Sequence, residues 1–232
     1  MAVKTGVRLP SDGGRGPELV EAPADKTIEA ITLAEQFSPN AVQINLFPTM
    51  RLHVAFRYGA RLGNTHGRHG VRTTPRRWRL VPLPRLPTQI YGVNGRVAQH
   101  RWPGEHRRGR PTSTALALDL QARGEASFAP VRKACREDGI GNLLCLSSPV
   151  SQLPENTESF TATAEQICRT WFETQLPDGA RTGRHAIFLS GPVAITVALG
   201  ARLASADHGR WTAYTYDAAN NTYERFPPLI ST

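Results

Sequence analysis

The sequence predicts an α/β fold in which helices cover both faces of a mostly parallel sheet. Three observations carry this reading. From Thr114 onward, apolar runs too short for helices alternate with stretches of helical periodicity. Each run ends in small or turn-forming residues. One stretch, His185–Leu203 (HAIFLSGPVAITVALGARL), holds a complete strand, turn and apolar helix.

Taken in order, Ala115–Leu120 (ALALDL) reads as a strand, and Phe128–Asp138 as a helix stopped by Gly139. Asn142–Leu146 (NLLCL) is a second strand, ending in Ser147-Ser148-Pro149. Phe160–Gln175 is the clearest helix. Ala164, Ile167, Cys168, Trp171 and Phe172 form one apolar stripe on it, closed by Leu176-Pro177-Asp178-Gly179. Ala186–Leu189 is a buried strand, Ser190-Gly191 breaks it, and Pro192 takes the first helical position, where a missing N–H costs nothing. Trp211–Tyr216 and Thr222–Phe226 flank the turn Asp217–Asn221 as a terminal hairpin. Residues 113–229 therefore form a Rossmann-like layer. Ligands in such sheets bind beyond the carboxyl ends of strands, here Asp119–Arg123, Ser147–Pro149 and Ser190–Pro192.

The first half is less regular. Residues 1–45 read as a poorly ordered leader with one helix, Lys26–Phe37, capped by Asp25 and ended by Pro39. Val42–Phe47 alternates like an edge strand, and Leu52–Tyr58 (LHVAFRY) alternates clearly enough to read as a strand. The next fifty residues carry too much Gly and Pro for long elements, and one or two short strands are expected near Trp78–Val81. The organisation expected is a leader (1–45), a basic first half (46–112) and a Rossmann-like second half (113–232).

Composition limits the function classes. At 232 residues and 40% hydrophobic, the chain can bury a substantial core. No apolar run approaches the ~18 residues of a membrane span, and MAVKTGVRLPSDGG lacks the apolar core of a secretory signal. Cys135, Cys145 and Cys168 lie far apart and read as reduced thiols of a cytoplasmic protein. The net charge of +9 is unevenly divided. Residues 51–110 hold fourteen Arg against Glu105 alone, a net +13, whereas the remainder is −4. Such a segment favours a polyanionic partner.

At this point the residues resemble the SAVED domain family. The matching pieces are His185–Phe188, Gly191-Pro192, Leu199-Gly200, Tyr214–Asp217 and Tyr223–Pro227, preceded by ALALDL and NLLCLSSP in the family's order. The likeness covers 113–229 well and 50–112 weakly. It implies two fused, pseudo-symmetric CARF-like halves that bind a cyclic oligonucleotide second messenger, of cyclic tri- or tetra-adenylate type. The setting it implies is anti-phage signalling of the CBASS or type III CRISPR kind. It also implies ligand-dependent homo-oligomerisation that switches an effector. Family members are usually fused to that effector, and no remaining stretch of this chain is long or ordered enough to be one.

A cyclic oligonucleotide offers phosphates, ribose hydroxyls and flat bases, which call for N–H groups or Arg, small polar side chains, and aromatic planes. Ser190, Gly191 and Pro192 fit the phosphate. Ser147 and Ser148 either join the site or simply form a polar turn before Pro149. Tyr214 and Tyr216 share one face of the last long strand; Tyr216, nearer its end, can stack a base, whereas Tyr214 can equally pack on a helix. Asp119 either binds a ribose hydroxyl or caps the following turn. Arg57, Tyr58 and Arg61 would face the same cleft if the halves are pseudo-symmetric. The remaining Arg residues would be solvated or contact another subunit.

His66 and His69 have a metal-like spacing, but glycines around them argue against a helix and no third ligand is in sight. No phosphate-binding Gly-rich loop, no G-x-S-x-G and no catalytic constellation occurs, so neither a cofactor nor an enzymatic activity is expected. Two other readings remain: a DNA- or RNA-binding protein using the Arg-rich segment, and a nucleotide-cleaving enzyme of the same fold.

Overall fold

A computed structural model describes Lys26, Glu29 and residues 51–68, 94–98, 110–204 and 210–226. Ten elements follow: α1 (Leu52–Arg68), β1 (Asn94–Ala98), β2 (Arg110–Asp119), α2 (Glu125–Glu137), β3 (Ile140–Ser147), α3 (Thr157–Glu173), β4 (His185–Phe188), α4 (Val193–Leu199), β5 (Trp211–Asp217) and β6 (Thr222–Arg225). Lys26 and Glu29 are helical, within the helix expected at 26–37. The rest of that helix and the strands expected at Val42–Phe47 and Trp78–Val81 lie outside the described residues.

Six strands form one sheet in the order β1-β3-β2-β4-β5-β6. The inner four are parallel, and an antiparallel strand pairs at each edge. The parallel Rossmann-like core and the terminal hairpin are as the sequence predicts. The strand β1, in a segment read as irregular, is not.

Period-2 alternation assigns the two faces. Leu116 and Leu118 of β2 point with Ile187 and Trp211 into a large core beneath α1, α3 and α4, joined by Phe56, Ile167, Trp171 and Leu199. The opposite face is lined by the small Ala115, Ala117 and Ala186, on which α2 seats Val131, Ala134 and Cys135 beside Phe188 and Tyr214. Asn156 caps α3 by accepting the Ser159 N–H at 2.7 Å. The stripe on α3 buries Ala164, Ile167, Cys168 and Trp171 but leaves Phe172 49% exposed. A residue eight positions on lies about 80° round the helix, at the edge of the buried stripe.

Three local expectations are corrected. Leu52–Tyr58 is the first part of helix α1, not a strand. Its apolar alternation is real, yet His53, Ala55 and all of Phe56–Ala60 are buried, so burial there follows no two-residue period. Contacts at helical spacing decide the outcome: Phe56, Gly59 and Ala60 lie against α4 and the single π-turn, Gly200–Ala204, that continues it. A Cβ on Gly59 would stand 2.0 Å from the Val197 carbonyl oxygen, and one on Gly200 equally close, 2.0 Å, to that of Phe56. Two helices thus touch backbone to backbone.

The second correction is that α1 runs through His66 to Arg68, past Gly63 and Gly67. Each glycine costs a helix interior only about 1 kcal/mol relative to alanine, which does not forbid it. Third, Pro192 is the N-cap of α4 with an extended backbone (φ −65°, ψ 138°), so the helix begins one residue later, at Val193.

Candidate functional site

The site follows from the strand order. From β2 the chain passes through α2 to β3 on one side, then crosses back through α3 to β4 on the other. The segments leaving the neighbours β2 and β4 therefore diverge to opposite faces. This is the switch in strand order at which α/β sheets open a crevice. A cavity of about 220 Å³ lies there.

Its lining comes from four places. The β2–α2 loop gives Gln121 and Arg123, and the first turns of α2 give Ala126, Ser127 and Pro130. Leu189, Ser190 and Gly191 come from the end of β4, Tyr216 and Tyr223 from the hairpin, and Leu52 from the start of α1. Arg123 is the one charged residue among them, so the lining is cationic, with hydroxyls, an amide and aromatic rings around it.

Each group is held by a specific device. The two loops are tied by the Leu120 N–H donating to the Ser190 carbonyl at 3.3 Å and by the Ser190 hydroxyl donating to Gln121 Oε1 at 3.3 Å. Gly191 adopts φ 133°, where its Cα packs against Leu120. Asp119 is fully buried and takes the Gly124 N–H at 2.6 Å and the Gln121 N–H at 3.3 Å. It therefore shapes the loop that presents Gln121 and Arg123; of the two roles open to it, the structure shows the cap.

The aromatic wall is continuous with the core. Tyr214 stacks on Phe188 at 4.3 Å, Tyr223 meets Phe188 edge-on at 5.0 Å, and Tyr216 leans on Tyr223 at 5.2 Å. Tyr214 is buried, with its hydroxyl donating to Asp138 at the end of α2. Tyr216 is 44% exposed. Its hydroxyl donates to Asn221 Oδ1 at 2.8 Å, which fixes the ring at the rim. Burial, and then the neighbouring Tyr216, push the Tyr223 hydroxyl up to about 12, with Arg123 opposing. It is a neutral donor at physiological pH.

The structure therefore brings Ser190, Gly191 and Tyr216 together at the cavity, with Pro192 following as the cap of α4. Ser147 and Ser148 do not line it. They end β3, beyond β2, and the Ser148 hydroxyl turns back to donate to the Val150 carbonyl at 2.9 Å. Arg57, Tyr58 and Arg61 do not line it either. Arg57 is buried with its guanidinium 5.7 Å from the Phe226 ring, and the residue of α1 that reaches the cavity is Leu52. Gln121, Arg123, Ser127 and Tyr223 complete the lining without having been singled out, although the first two fall in the strand-end segment 119–123.

Burial raises all three thiols, Cys135 to about 12 and Cys145 and Cys168 to about 11, so none is a thiolate nucleophile near neutrality. Among the described residues no cluster of His, Cys, Asp or Glu could hold a metal ion. No helix among them is long and apolar enough to cross a membrane.

A family profile, "SMODS-associated and fused to various effectors sensor domain", matches residues 32–230. The chain belongs to the SAVED family. Solved SAVED/CARF-domain receptors share its fold. The Cap4 receptor of Acinetobacter baumannii, solved with the cyclic trinucleotide 3'3'3'-cAAA, aligns with a TM-score of 0.61 at 15% identity, over 96% of this chain and 46% of that one. The same receptor with 2'3'3'-cAAA gives 0.57 at 14%, over 93% and 44%. The Moraxella osloensis Cap4 receptor gives 0.53 at 14%, over 95% and 44%. This SAVED chain thus spans less than half the length of the receptors it matches. Comparison with curated proteins by sequence finds no match.

Proposed function

We propose that this chain is the sensing part of a cyclic-oligonucleotide receptor, and that the switch-point cavity takes one nucleotide of a cyclic tri- or tetra-adenylate. The observation that carries this is the lining itself. A fixed, half-exposed aromatic ring, an arginine, two serine hydroxyls and one amide converge where a Rossmann-like sheet opens. Tyr216 stacks the base, worth about 1–3 kcal/mol. The fork of Gln121 matches the donor and acceptor on the adenine edge. Arg123 pairs with the phosphate, while Ser127 and Ser190 serve ribose or phosphate oxygens.

Size supports a single nucleotide. Pockets that enclose a drug-sized ligand measure roughly 300–1,000 Å³, so the cavity of about 220 Å³ is too small to enclose a whole ring. The rest of the ring must then be held elsewhere, which agrees with ligand-driven association of receptors and the switching of an effector in cis or in trans. The groups in the lining are suited to binding: among the described residues it holds an arginine, hydroxyls, an amide and aromatic rings, and no carboxylate or imidazole.

Calorimetric titration with cyclic triadenylates and tetra-adenylates tests the reading. Saturable heat at micromolar protein that disappears in Arg123→Ala is expected. Absence of heat with every cyclic oligonucleotide overturns it.

A further inference from the structure

The opposite edge of the sheet, where the parallel strands begin, carries a second opening. Thr114 is in register with His185, and His185 with Trp211. The residues just before them, Ser113, Arg184 and Arg210, therefore stand level on three neighbouring strands. Two backbone bonds hold them there: the Thr114 N–H donates to the Arg184 carbonyl at 3.0 Å and the His185 N–H to that of Arg210 at 3.1 Å.

Like charges at facing positions of paired strands repel, and among the described residues no carboxylate pairs with either arginine. Arg210 donates one N–H to the Thr182 carbonyl at 2.6 Å, which fixes its fork. The Arg184 side chain makes no hydrogen bond or ion pair among the described residues. Between them lies a cavity of about 350 Å³, lined among the described residues by Thr112, Ser113, Thr182, Gly183 and the two arginines. Two guanidinium groups and the hydroxyl-bearing Thr112 and Ser113 thus border one space, with no acidic side chain among its described lining residues, while the Thr182 hydroxyl donates to the Gly179 carbonyl at 3.2 Å. Gly183 keeps that wall closed, because a Cβ there would stand 1.7 Å from the Thr112 carbonyl oxygen.

We propose that this edge is a second binding site, for a phosphate group, in which Arg184 and Arg210 clamp the oxyanion and the Thr112 and Ser113 hydroxyls complete its shell. Guanidinium forks match phosphate geometry in pairs. A bound dianion converts the repulsion between the arginines into two attractions. The site is distinct from the sensing cavity. Six residues of strand separate Arg184 from Ser190, roughly 20 Å. The phosphate belongs either to a small ligand or to a nucleic-acid backbone, and the two are separable by experiment.

The test compares melting of the full chain in phosphate or pyrophosphate with melting in chloride at equal ionic strength. At about five times its Kd, phosphate raises Tm by about 3 °C. The doubly substituted Arg184→Gln, Arg210→Gln protein loses that rise. In chloride it melts at or above the parent, since the repulsion is gone. No phosphate-specific rise in the parent, or a rise retained in the variant, overturns the site. A variant melting well below the parent in chloride removes the repulsion argument and overturns it equally. Anisotropy with a short labelled DNA duplex separates the sources. Binding that is lost in the variant assigns the phosphate to nucleic acid, whereas a response to pyrophosphate alone assigns it to a small ligand.

Discussion

Replacing Gly191 by alanine measures how tightly the switch-point loop is built. At φ 133° a side chain is strained whatever space surrounds it, at a cost of about 1–3 kcal/mol. The new Cβ would also stand 2.7 Å from Leu120 Cβ and 2.9 Å from its Cδ1. Leu120 is itself buried, and its Cβ cannot swing away, so the loop must shift. Overpacking of this kind costs about another 1–3 kcal/mol. Alanine narrows the unfolded ensemble and returns about 0.4–1 kcal/mol. The net expectation is a loss of about 1–5.5 kcal/mol in denaturant unfolding. Gly139→Ala provides the internal control: its φ is 66° but nothing lies within 4 Å of its Cβ position, so only the backbone cost remains. The reasoning fails if Gly191→Ala is no more destabilising than Gly139→Ala, or if calorimetry shows cyclic triadenylate binding unaffected by it.

Other predictions follow from the same geometry. Tyr216→Ala should weaken cyclic triadenylate about tenfold or more while leaving stability within about 0.5 kcal/mol; an unchanged Kd by calorimetry removes base stacking from the mechanism. Gly200→Ala forces a Cβ to within 2.0 Å of the Phe56 carbonyl oxygen, and should cost about 3 kcal/mol or prevent folding; native-like unfolding would show that the two helices are not in backbone contact. His53 is buried against Phe226, and burial, reinforced by Arg51, lowers its pKa from 6.5 to about 4. Between these values the unfolded chain holds a proton that the folded chain lacks. Stability should therefore fall as pH drops through that window, by about 1.4 kcal/mol per unit from this group. His53→Phe should flatten that slope in urea titrations at stepped pH, and an unaltered slope would assign it elsewhere.

Much of the sheet was legible because its strands alternate with helices of clean periodicity, and because turn residues such as Gly139 and Gly179 punctuate them. The segment Leu52–Tyr58 misled because a seven-residue window of alternating apolar residues also fits a helix buried nearly all round. What decides against a strand, the seating of Gly59 on Val197, involves residues some 140 positions apart. At the site, Ser190, Gly191 and Tyr216 could be read from the order of elements alone. Tyr223 was within reach by counting the hairpin, since Asp217 facing Thr222 places Tyr216 opposite Tyr223. Gln121 and Arg123 carry no pattern of their own. They are aimed by the buried Asp119, whose role depends on the three-dimensional path of the loop. Arg57 shows the converse: an arginine in a basic segment that serves a ring in the core.

The glycine seam between α1 and α4 also has a consequence for biosynthesis. Phe56 leaves the ribosome long before Gly200, its partner. At about 5–20 residues per second the delay is roughly 7–30 s. Throughout that interval α1 carries its apolar face unpaired, and the core beneath it closes only when the last helix arrives. A chain halted in that interval exposes the apolar residues of α1, the kind of surface that makes partly folded states prone to aggregate.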